Sequence, residues 1–265
     1  MVSITFLGTG GGRFATIYQT RSTGGMLIED RGRIHLDPGP GALTNMARLN
    51  LDPGFTDAVL ISHCHPDHYS DAEVLVEGMT RGGINTRGTL AGSVSTIEGI
   101  DGMRPAISDY HRRLPHQVMS VRAGDEMDIA GTWTRFTPTR HTDASGVGAI
   151  FGTTAGTVSY MGDTDPRDEV IASHEGCRVL ILNVTRPFGA RLRCHLCSED
   201  VPAIVERLQP EMTLLTHMGV KMVEEGPEEQ ALKLEETTGC RIVAARDMMR
   251  LDIGDSIGVH TNTYL

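Results

Sequence analysis

The sequence predicts an α+β chain built as two β-sheets packed face to face, with helices on the outside. Three observations predict it. Short apolar runs bounded by Gly, Pro or Asp recur along the whole 265-residue chain. Segments with helical spacing of their apolar residues fall between runs of such strands. Thirty-one glycines and only 5% aromatic residues suit a chain of many tight turns.

The first element is the strand "SITFL" (3–7); its opening "MVSITFLGTGGG" lacks a basic segment before the apolar run, so it does not read as a signal peptide. Strands follow at 25–29, 33–37 and 58–62, with helices at 41–50 and 69–79. Residues 80–116 are glycine-rich and carry no strong periodicity, which points to a lid or substrate segment, or else a decorated surface loop. Five strands at 116–121, 126–130, 133–139, 147–154 and 157–162 read as an antiparallel meander. A helix at 165–175 precedes the buried strand "RVLILNV" (178–184). Ser198 is the expected N-cap of a helix at 198–209, followed by the strand "MTLLT" (212–216). A last helix covers about 222–238, and strands at 241–245, 249–253 and 256–260 end the chain. With no repeat, low-complexity tract or linker, residues 1–265 are expected to form one domain.

Bulk properties narrow the function classes. A formal charge of −10 argues against broad electrostatic binding of long nucleic acid. No apolar run reaches the length of a membrane span. Five cysteines, odd in number and unevenly spread, do not suggest a disulfide framework, so a cytoplasmic setting is expected. A homo-oligomer is compatible with all of this.

One stretch stands apart. "LISHCHPDHYSD" (60–71) places His63, His65, Asp67 and His68 within six positions, directly after an apolar strand. Chance produces such a pattern in roughly one chain of this kind in a thousand. Three more strand ends carry the same ligand types: His141, Asp163 and His217. Strand ends that converge on one edge bring such groups together. Two imidazoles one residue apart, with a third from elsewhere, suit a Zn²⁺ ion with an open position, here His63, His65 and His141. Asp67 and His68 begin a second site with His217, and the two oxygens of Asp163 suit a bridge. Two metals roughly 3.5–4 Å apart activate a shared water and hold a departing oxygen. Isolated histidines such as His35, His111, His116, His174 and His260 read instead as surface or satisfied core.

The set "HCHPDH", His141, Asp163 and His217 resembles the metal motifs of the metallo-β-lactamase superfamily in their usual order. The resemblance spans nearly the whole chain and implies a four-layer αββα sandwich with the metals at one edge of the two sheets. The opening "FLGTGGG…QTRSTGGMLIE…IHLDPGPG" resembles the ribonuclease Z-like branch, in which Asp37 would orient the metal loop from behind. His65 stands where diiron electron-transfer members carry a carboxylate, and Asp163 where true class B β-lactamases carry Cys, so neither activity is implied.

"CHLCSEDVPAIVERLQ" resembles the His-bearing element of the superfamily's phosphodiesterases, which implies that His195 lies beside the metals as proton donor. Arg186, Arg191 and Arg193, just before it, are a plausible phosphate grip, against a solvated loop. Cys194 and Cys197 flank His195 and read as small apolar residues. Only 22 residues separate His141 from Asp163, leaving no room for a tRNA-clamping arm. The compact spacing resembles the cyclic phosphodiesterases of the carbon–phosphorus lyase pathway, although no cysteine precedes Cys64 to make their N-terminal zinc site.

The expectation is a dinuclear metal-dependent hydrolase, a phosphodiesterase acting on a small molecule or short nucleotide through a metal-bound hydroxide. Its catalytic groups are His195 and Asp67, the latter also a ligand. Zn²⁺ is the expected metal, with Mn²⁺ or Fe²⁺ accepted by the same donors. A lactone or thioester hydrolase is the alternative on the same site; a non-catalytic metal-dependent binding or sensing module is the alternative of another class.

Overall fold

The structure, a computed structural model, describes residues 1–261. The chain begins with β1 (Val2–Phe6), β2 (Met26–Glu29), β3 (Arg33–Leu36), β4 (Ala58–Ile61), β5 (Thr89–Ser93) and β6 (Gln117–Val121), all in one sheet. It then crosses to a second sheet of β7 (Glu126–Ile129), β8 (Thr132–Pro138), β9 (Val147–Thr153), β10 (Gly156–Met161), β11 (Val179–Arg186), β12 (Leu196–Cys197), β13 (Met212–Thr216) and β14 (Ile242–Ala244). Finally β15 (Arg250–Ile253) and β16 (Ile257–His260) return to the first sheet beside β1.

Side-chain alternation along the central strands explains the four layers. On β4, Ala58 and Leu60 join the core between the sheets, while Val59 and Ile61 face the helices outside. On β11, Val179 and Ile181 point inward and Leu180, Leu182 and Val184 outward. Strands apolar on both faces must be covered on both, and here each sheet is. Helices at Ala42–Arg48 and Ala72–Thr80 cover the first sheet; Val201–Leu208 and Pro227–Thr238 cover the second. The result is the αββα sandwich.

Three expectations need correction. The meander starts at β7: β6 belongs to the other sheet, where it pairs in parallel with β5. β5 is hidden in the sequence because "TLAGS" has three small residues and no alternation, and without it β6 has no visible partner. Segment 80–116 is therefore not one irregular stretch, since it contains β5 and short helices at Val94–Ile97 and Asp109–Arg112. The helix expected at 222–238 is two, Val220–Glu224 and Pro227–Thr238, broken where Gly226 takes a positive φ of 78° ahead of Pro227. The helix Gly12–Tyr18 was also missed, since glycines before it and three exposed apolar side chains on it (Phe14, Ile17, Tyr18) hide any pattern.

Candidate metal centre

Parallel pairing puts the ends of β3 and β4 side by side, and both turn polar as they leave the sheet. Asp37 follows β3 in a left-handed conformation, φ 54°, which turns its carboxylate toward the loop after β4. One oxygen accepts from the Ser62 backbone N–H at 2.7 Å; the other accepts from Ser62 Oγ at 2.7 Å, His68 Nδ1 at 2.9 Å and the Tyr160 hydroxyl at 2.8 Å. Asp37 thus holds both ends of the loop 62–68.

The seven candidate ligands converge. His63 Nε2 and His141 Nε2 lie 2.9 and 3.1 Å from His65 Nδ1. His217 Nε2 lies 3.1 Å from His68 Nε2 and 3.2 Å from Asp67 Oδ2. Between these two groups sits a single oxygen, Asp163 Oδ2, which is 3.3 Å from His217, 3.7 Å from His68 and 3.8 Å from His141. The two-oxygen bridge expected of Asp163 is not how it is placed, because its Oδ1 is turned away and accepts from Asn183 Nδ2 at 2.7 Å.

Donor and acceptor arithmetic tests whether this cluster suits cations. His141 Nδ1 donates to the Cys194 carbonyl at 2.8 Å, and burial favours the neutral ring, so its Nε2 presents a lone pair. His68 Nδ1 donates to Asp37; burial opposes charge there, but Asp67 and Asp37 outweigh it and raise that imidazole's pKa well above its ordinary value. Ser62 Oγ gives its one proton to Asp37, so it accepts from His63 Nδ1 at 3.0 Å, and His63 Nε2 is a lone pair too. His63 and His141 therefore both aim lone pairs at His65 Nδ1, which has at most one proton to give. Neutral imidazoles whose lone pairs face one another are satisfied by a shared cation, and the donor set of histidine and aspartate suits divalent transition metals.

Burial would raise the Asp67 and Asp163 carboxyls, but the neighbouring histidines hold both well below the usual carboxylate range: His68 and His217 for Asp67, and His217, His195 and His68 for Asp163. Burial, reinforced by neighbouring imidazoles, pushes His63 well below its ordinary value and keeps it a neutral donor of electrons.

His195 also reaches the cluster. Its Nε2 is 3.4 Å from Asp163 Oδ2, and its Nδ1 donates to the Arg193 carbonyl at 3.1 Å. Its side chain is 16% exposed against 1% for His141 and 3% for His68, so it forms the solvent side of the cluster. Burial opposes protonation, but Asp163 outweighs it and raises the imidazole's pKa.

The three arginines are placed differently. Arg191 is paired with Asp200 at 2.7 and 3.3 Å. Arg193 is exposed, and Arg186 is half-buried with its Nε unpartnered; neither has a carboxylate partner among the described residues. Cys197 is buried, and Cys194 is half-buried. Cys194 has a backbone role the sequence did not reveal: with φ 64°, its N–H donates to Asp165 at 2.6 Å while its carbonyl fixes His141.

Other residues at the site went unrecognised. The Gly12 backbone N–H donates to Asp67 Oδ2 at 2.7 Å. Gly11 lies flat against His217, where a Cβ would fall 2.2 Å from the imidazole, which explains a glycine there. Thr185 Oγ1 meets His217 Nδ1 at 3.0 Å. Asp143, Tyr160 and Asn183 support the cluster from behind. Gly11 and Gly12 belong to the "FLGTGGG" opening, whereas Thr185, Asp143, Tyr160 and Asn183 had no motif-level signal; each is an ordinary polar residue whose role depends on which strands become neighbours.

Fold and site together define a class, the metal-dependent hydrolases of the metallo-β-lactamase fold. The chain belongs to the β-lactamase superfamily domain family, whose model matches residues 32–218. It is 38% identical to an uncharacterized protein of Methanocaldococcus jannaschii over 255 residues, 95% of each chain. It is also 26% identical to the ribonuclease Z of Methanosarcina acetivorans over 146 residues, 55% of this chain and 47% of that one. Among solved structures, the metallo-β-lactamase fold protein YhfI from Bacillus subtilis is similar, with TM-score 0.75 at 18% identity, covering 97% of this chain and 99% of that one. A diphosphatase of the PhnP family is similar at TM-score 0.69 and 18% identity, covering 96% and 98%. These structural likenesses carry the fold. Among the described residues no helix is long and apolar enough to cross a membrane.

Proposed function

We propose that the protein is a dinuclear metal-dependent phosphodiesterase acting on a small molecule or short nucleotide, built as one hydrolase domain. The observation that carries this is the convergence of two triads on one oxygen. His63, His65 and His141 would hold one ion and Asp67, His68 and His217 the other, with Asp163 Oδ2 shared between them. Zn²⁺ fits the donors, and Mn²⁺ or Fe²⁺ is accepted by the same set. Bound there, the two cations would supply Lewis acidity toward a phosphoryl oxygen and lower the pKa of water.

The chain's own residues do the rest. His195, at the solvent side with its Nε2 directed inward, donates the proton to the leaving oxygen. Asp163 holds that imidazole in place and favours its protonated form. Asp67 is kept anionic and fixed by the Gly12 N–H. Arg186 and Arg193, lacking carboxylate partners, are the arginines left to meet a phosphate, whereas Arg191 is already occupied by Asp200. The ribonuclease Z relative and the PhnP-family diphosphatase support phosphorus–oxygen chemistry over lactone or thioester hydrolysis.

The test compares kcat/KM for bis-aryl phosphate, 2′,3′-cyclic nucleotides, aryl monophosphate, acyl-lactones and glutathione thioesters, with Zn²⁺, Mn²⁺ and Fe²⁺ in turn. A diester should lead. A lactone or thioester outrunning every diester in all three metals would overturn the substrate class.

A further inference from the structure

Behind the cluster, a closed line of hydrogen bonds joins the shared carboxylate to the metal loop. Asn183 Nδ2 donates to Asp163 Oδ1 at 2.7 Å and to the Tyr160 hydroxyl at 2.9 Å. Tyr160 donates to Asp37 Oδ2 at 2.8 Å, and Asp37 accepts from His68 Nδ1. All of these groups are buried.

The directions of these bonds are forced. Asp37, as an anion, only accepts, so the Tyr160 proton goes to it. The Tyr160 oxygen is then an acceptor toward Asn183, which places the amide nitrogen, not the oxygen, on that side. That nitrogen's second proton goes to Asp163 Oδ1. Asn183 Oδ1 faces the opposite way and has no hydrogen-bond partner among the described residues. Were the amide flipped, its oxygen would face the Asp163 carboxylate, anion against dipole. The phenol and the carboxylate therefore both require the amide nitrogen on this side, the phenol fixes where that nitrogen sits, and the amide decides which carboxylate oxygen is free.

We infer that Asn183, oriented by Tyr160, is a positioning residue that restricts Asp163 to presenting one oxygen to both metal positions. The inference rests on the proposed dinuclear site and deepens it. With Oδ1 held by the amide, Asp163 Oδ2 alone meets His68, His141, His195 and His217. Release of Oδ1 would let the carboxylate rotate toward a single ion and uncouple the two positions. Partners of this kind, one step behind the ligands, typically change metal affinity by 10–100-fold.

The experiment titrates metal-free wild type, Tyr160→Phe and Asn183→Leu with Co²⁺, following its visible absorption and competing with a chelator of known affinity. Thermal unfolding of each metal-free protein is recorded alongside. Both variants are expected to bind Co²⁺ roughly 10–100-fold more weakly. They should also give an altered absorption band while their metal-free unfolding stays cooperative. Wild-type affinity and spectrum in Tyr160→Phe would overturn the inference, and so would a variant that is destabilised yet binds as wild type does. If Asn183→Leu does not fold, Tyr160→Phe, which deletes one hydroxyl, decides alone. Wild type that binds no Co²⁺ would instead remove the metal site itself, a distinguishable failure.

Discussion

Asp143 accepts the backbone N–H of Cys64 at 3.0 Å, gripping the metal loop midway between His63 and His65. The same carboxylate accepts from Ser95 Oγ at 2.5 Å and from Ser145 N and Oγ at 2.9 and 2.8 Å. It is 6% exposed, so its removal leaves the donors it serves, the Cys64 N–H among them, without that acceptor in a site where water has little access. Asp143→Ala should cost about 1–3 kcal/mol for each donor left buried and unpaired. It should also weaken metal binding by roughly 10–100-fold. Asp143→Asn, which keeps one acceptor oxygen, should do less of both. Chelator competition and denaturant unfolding check this; unchanged metal affinity in Asp143→Ala would remove the loop-holding role.

His195 and His63 should separate cleanly. His195→Ala is expected to keep its metals and fold while turnover falls by roughly 10²–10⁴-fold, the scale of proton transfer by a positioned group. His63→Ala should lose metal and activity together, because its Nε2 is one of three nitrogens meeting at one point. Elemental analysis beside a kinetic assay reads both. Loss of metal from His195→Ala would make it a ligand, a role its place beside His141 and Asp163 also allows geometrically.

A third prediction concerns acid. His174 is fully buried between Ser159 and Thr137, with burial and then Arg135 pushing its pKa down to about 3. In the unfolded chain it titrates near 6.5, so the unfolded state binds more protons as pH falls below that value. Its contribution is therefore fully present above about 6.5 and lost progressively toward 3, at about 1.4 kcal/mol per pH unit as an upper figure. Denaturant unfolding of wild type and His174→Gln between pH 7 and about 5 should show the wild type losing ground to the variant at up to that slope. A stability difference that does not change with pH would contradict it.

How far the sequence was legible follows from which features are local. The loop "HCHPDH" is short-range, and its order with His141, Asp163 and His217 survives any uncertainty about topology. The two sheets were legible because strands such as β4 and β11 are apolar on both faces. By contrast, β5 was hidden by its small residues, and β6 was misplaced because its partner was hidden. The supports Asp143, Tyr160 and Asn183 were invisible for a different reason. Tyr160 meets Asp37 across 123 positions and Asp143 meets Cys64 across 79, and no spacing rule reaches that far. The arginine loop shows the converse: proximity in sequence groups three arginines, whereas the fold pairs Arg191 with Asp200 and leaves Arg186 and Arg193 without a carboxylate partner among the described residues.

The central claim is that two triads share one oxygen, and metal content per chain tests it most directly. Protein loaded with Zn²⁺, then freed of loosely held ions by gel filtration, should contain close to two ions per chain by elemental analysis, because six triad ligands exceed what one tetrahedral ion uses. Asp163→Ala should fall well below two, since both positions lose their common oxygen. One ion or none in folded, fully supplemented wild type would contradict the dinuclear account.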